Sequence, residues 1–584
     1  MKSVMHIKDE LDTNWSDNVF RLFPSVGARL RFTTAMLSGA AAGILLLTPA
    51  AVARGDDLDK VEHVLLISVD GMHQSDLAWY LQTHPNSTLA MLVAQGINYS
   101  NASTPFPSDS FPGLIGQVTG GNPATTGIYY DDTWNHAVFP AGTKNCGGTV
   151  PGGEVAYTEA DDINLGALDA GQGIVPARGK PDPWANILHL TGNPVKLINP
   201  ANLPVDPATC QPIYPNKYLH VNTIFEVAHQ HHLRTAWSDK HPAYLALSGP
   251  SGEGVDEYFT PEINSSASAT APTDPNQPDW TTDNLFTQQY DGYKVQAVIN
   301  WIDGHHHDGS GDPGTPAIFG MNFQTVSTAQ KLPTSRTNGN LSGGAAGGYL
   351  ADGTTPGPVL TNALDFVDQS LGKMVSALGS RGLLNSTAII VSAKHGQSPM
   401  NLAALNRIDD GQIIAALNAA WKSSHPTDKD LIAFGVDDDG MLLWLNDRSI
   451  AATEFARQFL VSYSTVSVDG KPVKSAGLWQ VYTGVAAAQL IGVSQSDPRV
   501  PDVIGIAQYG VVYTGHKSKI AEHGGDHPED RNVPIVVAWP GATSGLNVTA
   551  PVETTQIAPT ILELLGLRPE ELQAVQIEDT QPLF

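Results

Sequence analysis

Residues 62–71, EHVLLISVDG, form an unbroken apolar run that stops at Asp-Gly. A run of this length without polar alternation is a strand buried on both faces, the condition of a parallel sheet covered by helices. Two similar runs follow, NSTAIIVSAKHG at 385–396 and NVPIVVAWPG at 532–541. Helical stripes lie between and after them. PNSTLAMLVAQG (85–96) has Asn86 or Ser87 as its cap and Gly96 as its stop. In TTQIAPTILELLG (554–566), Ile557, Ile561, Leu564 and Leu565 share one stripe. Strands alternating with helices predict an α/β fold, a three-layer sandwich around a mostly parallel central sheet.

The 584 residues suffice for a large core with insertions. The core is expected in three pieces, 54–134, 291–424 and 516–584. Between them lie a loop-rich insertion at 135–290, with one helix-strand unit at 221–244, and a small α+β insertion at 425–515 around runs such as MLLWLND. Residues 1–53 read as an N-terminal extension and export signal. Arg29 and Arg31 precede a short apolar stretch, interrupted by Ser38 and Pro49, that ends in Ala51-Val52-Ala53. This predicts an exported protein, periplasmic or extracellular, with no permanent membrane span after signal removal. In such a compartment Cys146 and Cys210 can pair, although spacing alone does not bring them within range.

Acidic residues outnumber basic ones, 58 to 32, for a formal net charge of −26. That balance argues against a nucleic-acid-binding surface. A small anionic substrate would need a local positive centre, such as a metal ion.

Open α/β sheets hold ligands at the carboxyl ends of their strands. The first run ends at Asp70, the second at Lys394-His395-Gly396, and EHGGDH (522–527) precedes the third. Asp and His are ligands for zinc and similar divalent ions. In TPFPSDSFPGLIGQVTG, Ser110 falls at a predicted N-cap with Pro112 in the first turn. It reads as an ordinary cap or as a nucleophile at a helix N-terminus, where free N–H groups favour an anion and a cation can activate the hydroxyl. Leu114 stands where a sulfatase Cys/Ser-x-Pro-x-Arg motif needs Arg, and no G-x-S-x-G elbow surrounds Ser110.

The order of these motifs, an Asp-Gly strand end, FPSDSFPGLIGQVTGGNPATTGIYY, then two His-Gly segments, resembles the type I phosphodiesterase/nucleotide pyrophosphatase branch of the alkaline phosphatase superfamily. The resemblance implies an alkaline phosphatase-like fold and hydrolysis of phosphoric esters, more specifically diesters, through a covalent phospho- or nucleotidyl-serine. It implies Ser110 as nucleophile, Asp70 and His395 on a first metal, His523 on a second, and Asp131 where the family often has an Asn that holds the transferred group. The cofactor implied is a divalent metal, zinc, as one or two ions. The chain departs from the pattern at Lys394, where the family has Asp, and at Gln324 and Thr328, where it has Asp and His. Lys394 is then expected to supply positive charge in place of an ion. Other candidate ligands are HHHD (305–308), Asp239 and His241 in SDKHPAY, and Glu522, Asp526 and His527; Lys240 and His241 are also candidate substrate contacts. HHHD reads as a solvated loop and VDDDG (436–440) as an exposed turn. The alternatives to a phosphodiesterase are a degenerate member that binds an anion without turnover, and a single-metal hydrolase of phosphonate or sulfate esters.

Overall fold

The computed structural model describes residues 61–157, 162–163, 187–268, 276–542 and 545–584, all within a compact unit spanning Val52–Phe584. The export-signal reading lies outside the described residues. Among the described residues no helix is long and apolar enough to cross a membrane.

The main sheet contains β1 (His63–Val69), β2 (Ile97–Ser103), β3 (Thr235–Ser238), β4 (Glu257–Phe259), β5 (Ile318–Phe323), β6 (Thr387–Ser392), β7 (Asn532–Ala538), β8 (Leu546–Val548) and β9 (Val552–Glu553). Their spatial order is β8-β2-β7-β6-β1-β5-β3-β4, with β9 also paired to β2. Pairing is parallel except at β7, which runs antiparallel to both β6 and β2. β7 therefore begins at the edge where the parallel strands end, and the loop before it joins their carboxyl-terminal loops.

Alternate residues of β1 enter two different cores, as the two-residue strand period requires. Leu65, Ile67 and Val69 pack with α1 (Thr88–Gln95), α3 (Asn284–Ile302) and α4 (Pro358–Ser380). Val64 and Leu66 pack with α2 (Ser110–Thr119) and α5 (Ile557–Leu564) on the other face. This is the expected three-layer sandwich. Ser87 caps α1 by accepting from Ala90 N–H. Gly96, expected as the stop, does end the helix, with an extended backbone at φ −128°. A β-carbon there would stand 2.4 Å from the Val537 carbonyl oxygen, so close approach to β7 is what requires glycine.

Residues 135–290, read from the sequence as an insertion, supply two strands of the main sheet, β3 and β4. Cys146 and Cys210 form a disulfide in this region. The 425–515 region folds as a four-stranded antiparallel sheet of Ile432–Asp437, Gly440–Leu445, Val503–Ala507 and Leu478–Thr483, with its own apolar core.

Candidate active site

Four neighbouring parallel strands, β6, β1, β5 and β3, send residues to one point. Asp70 directly follows β1, Asp239 and Lys240 follow β3, Gln324 follows β5, and Lys394 and His395 follow β6. Gly71, at φ +81°, turns the chain after Asp70, and its N–H donates to the His395 carbonyl. Ser110 comes from the seventh position after the end of β2, carried on α2.

The helix start differs from expectation. Asp109 is the N-cap, accepting from Phe111 N–H at 3.1 Å, and Ser110 is the first helical residue. The segment 108–110 thus divides its work. Ser108 donates to the Gly525 carbonyl (2.7 Å) and accepts from Gly524 N–H (3.1 Å), tying the loop to EHGGDH. Asp109 caps, and the Ser110 hydroxyl is left to face the strand ends. A β-carbon on Gly113 would lie 2.2 Å from the Lys394 carbonyl oxygen, so glycine lets α2 lie directly on the backbone that presents His395.

Around Ser110 Oγ stand three groups. It accepts from Lys240 Nζ at 3.0 Å, and it lies 3.2 Å from His395 Nε2 and 3.5 Å from Asp70 Oδ2. His395 Nδ1 is 2.9 Å from the Gly396 carbonyl, which can only accept, so Nδ1 carries the proton and Nε2 of a neutral ring is bare toward the serine. Burial, aided by the Lys240 charge, pushes His395 down to about 4, so the ring is neutral near pH 7.

Asp70 is surrounded by donors. Lys240 Nζ is 3.4 Å away, Lys394 Nζ 3.9 Å, and the Gln324 amide donates to the same oxygen. Turned so that each atom meets a complementary partner, the Asn322 amide donates to Asp70 Oδ1 at 3.1 Å and accepts from Lys394 Nζ at 3.2 Å. Burial alone would raise Asp70, but Lys394, Lys240 and His395 together hold it well below the usual carboxylate range.

The two lysines differ in kind. Lys394 Nζ is wholly buried, 3.0 Å from Asp239 Oδ1, 2.7 Å from Tyr244 Oη and over the Tyr244 ring. Burial pulls it below the ordinary lysine range, and Asp239 and Asp70 only partly oppose this. Lys240 has a side chain 14% exposed. Burial opposes its charge, yet Asp70, Asp239, Asp131 and Asp109 outweigh burial and hold it above the ordinary range, as an ammonium.

The remaining expected residues fall as follows. Asp131 is half-buried and acts electrostatically on Lys240. The His523 ring lies 4.0 Å from the His395 ring, centroid to centroid, with Nδ1 3.7 Å from Asp109 Oδ2. His523, Glu522 and Asp438 form a cluster whose donor atoms lie within 4.8 Å of one another. Glu522 in that cluster is already paired with Lys331 at 2.7 Å and with Lys519. Asp438, from the expected exposed turn VDDDG, is instead half-buried and accepts from Tyr130 Oη at 2.8 Å. His241 pairs with Glu262 at 2.9 Å. His527 caps a short helix by accepting from Glu529 N–H, and Asp526 pairs with Arg531 on the surface. HHHD, expected as solvated, is anchored. His307 lies between Glu257 and the Leu190 carbonyl, beside an open cavity of about 700 Å³ around β4 and not at Ser110. Thr328 accepts from the Asn284 amide within the core.

A type I phosphodiesterase/nucleotide pyrophosphatase family model matches residues 64–530. The chain belongs to this family. The family is one of hydrolases of phosphoesters that generally work with divalent metal ions. Solved structures similar to the chain include murine ectonucleotide pyrophosphatase/phosphodiesterase 5, at 14% identity, covering 87% of this chain and 96% of that one, with a TM-score of 0.49. An inactive form of the murine protein in complex with AMP gives the same values. The human protein matches at 14% identity over 86% and 95%, with a TM-score of 0.48. Among curated proteins no sequence matches.

The family's metal positions do not fit the donors present in this chain. A divalent ion needs lone pairs pointed at it. Here Asp70 is saturated by N–H donors, an ammonium stands 3.0 Å from Ser110 Oγ, and another takes the place of the family's Asp before His395. At the second position Gln324 turns its amide N–H to Asp70 and Thr328 is engaged with Asn284. Sequence reasoning found Lys394 through the aligned His-Gly motif. It gave Lys240 only a minor role, because nothing in the sequence joined a region read as an insertion to the strand that carries Asp70.

Proposed function

We propose that this protein hydrolyses phosphoric esters, preferentially diesters, through a covalent phosphoryl adduct on Ser110. The observation that carries the reading is the Ser110 hydroxyl, held at the start of α2 with a bare histidine nitrogen at 3.2 Å and an ammonium at 3.0 Å. A nucleophile, a proton acceptor and a cation converge on one oxygen, the arrangement that hydroxyl nucleophiles need.

Ser110 Oγ attacks phosphorus while its proton passes to His395 Nε2. The bond from phosphorus to the opposite ester oxygen breaks, and that oxygen leaves as an aryloxide or takes a proton from solvent. Water then attacks from the vacated side and loses a proton to solvent. The serine oxygen leaves phosphorus and recovers its proton from His395. Asp131, electrostatically linked to Lys240, takes the place that the family resemblance gives to an Asn holding the transferred group. Export to an oxidising compartment accords with the Cys146–Cys210 disulfide.

The test is turnover of bis(p-nitrophenyl) phosphate by the purified protein, with mass spectrometry of acid-quenched enzyme. Wild type should release nitrophenol and carry a phosphoryl or nitrophenylphosphoryl group on Ser110. Ser110→Ala should lose both, with a fall of at least about 10³-fold in kcat. Equal turnover in Ser110→Ala would end this reading.

A further inference from the structure

The mismatch between the family's metal chemistry and these donors has a positive counterpart. Lys240 lies on the loop after β3, and its ammonium is shared between Ser110 Oγ at 3.0 Å and Asp70 Oδ2 at 3.4 Å. Asp70 is the carboxylate that the family resemblance puts on the first metal, and Ser110 is the nucleophile it implies beside that metal. The lysine is not free to leave. Its own backbone N–H donates to Asp239 Oδ1 at 2.9 Å, and Asp239 is in turn held by Lys394 Nζ at 3.0 Å and by Trp237 Nε1 at 2.9 Å. Lys394 is completely buried, so it sets the position of the loop and does not meet a ligand. Lys240 keeps part of its side chain open to solvent, and the ammonium has hydrogens to offer a third acceptor beyond Ser110 and Asp70. A phosphoryl oxygen bound to Ser110 is such an acceptor.

We propose that the Lys240 ammonium is the resident cation of this site, contacting Ser110 and the transferred phosphoryl group in place of a divalent ion, so that the centre works without metal. This rests on Ser110 being the phosphoryl acceptor. A lysine point charge supplies electrostatic stabilisation of the transition state. It cannot supply the second open coordination position of an ion, so the substrate is held by fewer fixed contacts than in a two-metal site.

Two measurements test it, one of them independent of turnover. The first is turnover of bis(p-nitrophenyl) phosphate before and after exhaustive treatment with EDTA and 1,10-phenanthroline, with metal content measured on the same sample. The expected result is unchanged turnover at well below one ion per chain, with Lys240→Met reduced about 10²-fold or more and Lys240→Arg keeping more activity than Lys240→Met. Loss of activity on chelation, restored by zinc or manganese, overturns the proposal and leaves the Ser110 reading standing. The second is binding of orthovanadate to the chelated protein by calorimetry. Binding by metal-free wild type that is lost in Lys240→Met, with thermal unfolding showing the variant folded, supports the proposal even if no ester is turned over. Vanadate binding that requires added zinc overturns it.

Discussion

At the scale of single residues, the sequence made the strand-end groups legible and left their relations hidden. Asp70, His395 and Ser110 stand out because a polar residue that ends a buried strand or starts a buried helix has few structural reasons to be there. Lys394 stands out for the opposite reason, an ammonium where an apolar run gives no water. What the sequence cannot supply is the partner. Lys394 meets Asp239, 155 positions earlier, and only the order β6-β1-β5-β3 in the sheet makes that pair. A buried pair of this kind is most sensitive to losing one member, since the other is left charged in a dry site. Lys394→Met should therefore lower unfolding free energy by about 3–5 kcal/mol, measured by urea denaturation. Replacing Asp239 with Leu in the same chain should recover part of that loss, because no unpaired charge then remains. Single and double variants that unfold together with wild type would show that the pair carries no such burden.

At the scale of elements, periodicity gave the strands and helices but not their directions. β7 looks like β1 and β6 in sequence because burial on both faces produces the same apolar run whichever way a strand runs. Its antiparallel course is what carries EHGGDH to the edge that holds the candidate site. Short edge strands are harder still. β4 has only three residues, Glu257 among them, too few to show a period. Folded, Glu257 is buried and accepts from His307 Nδ1 (2.6 Å), His307 N–H (2.7 Å) and His306 Nδ1 (3.1 Å), and it pairs with Arg234. Burial would raise this carboxyl, but the bonds from His307 and His306 lower it from 4.5 to about 2. A carboxyl lowered on folding stabilises above its unfolded value and loses that contribution as pH falls through the folded one. The window is therefore from about 4.5 down to about 2, and the contribution is on the order of 3 kcal/mol. Glu257→Gln should be less stable than wild type near neutral pH, with the difference narrowing across that window in urea melts. A gap independent of pH would assign the loss to packing instead.

At the scale of the whole molecule, the charge balance and the site pull in different directions. The chain carries a formal net charge of −26, and the candidate site gathers Asp70, Asp109, Asp131, Asp239, Asp438 and Glu522 around a few lysines. Burial pushes Asp109 up to about 7, so part of this acidity is neutralised near neutral pH. An anionic ester would nevertheless approach a chain of its own net sign and meet the Lys240 ammonium at Ser110. Salt screens the long-range repulsion over about 10 Å at 0.1 M but acts far less on a contact inside the site. Raising ionic strength from about 0.02 M to about 0.2 M should therefore increase kcat/KM for an anionic diester by a few-fold, through faster association, and leave kcat nearly constant. A neutral phosphotriester of similar size should show no such rise in its reaction with Ser110. If kcat/KM for the diester instead falls with salt, the lysine cluster projects its charge beyond the site and outweighs the carboxylates around it.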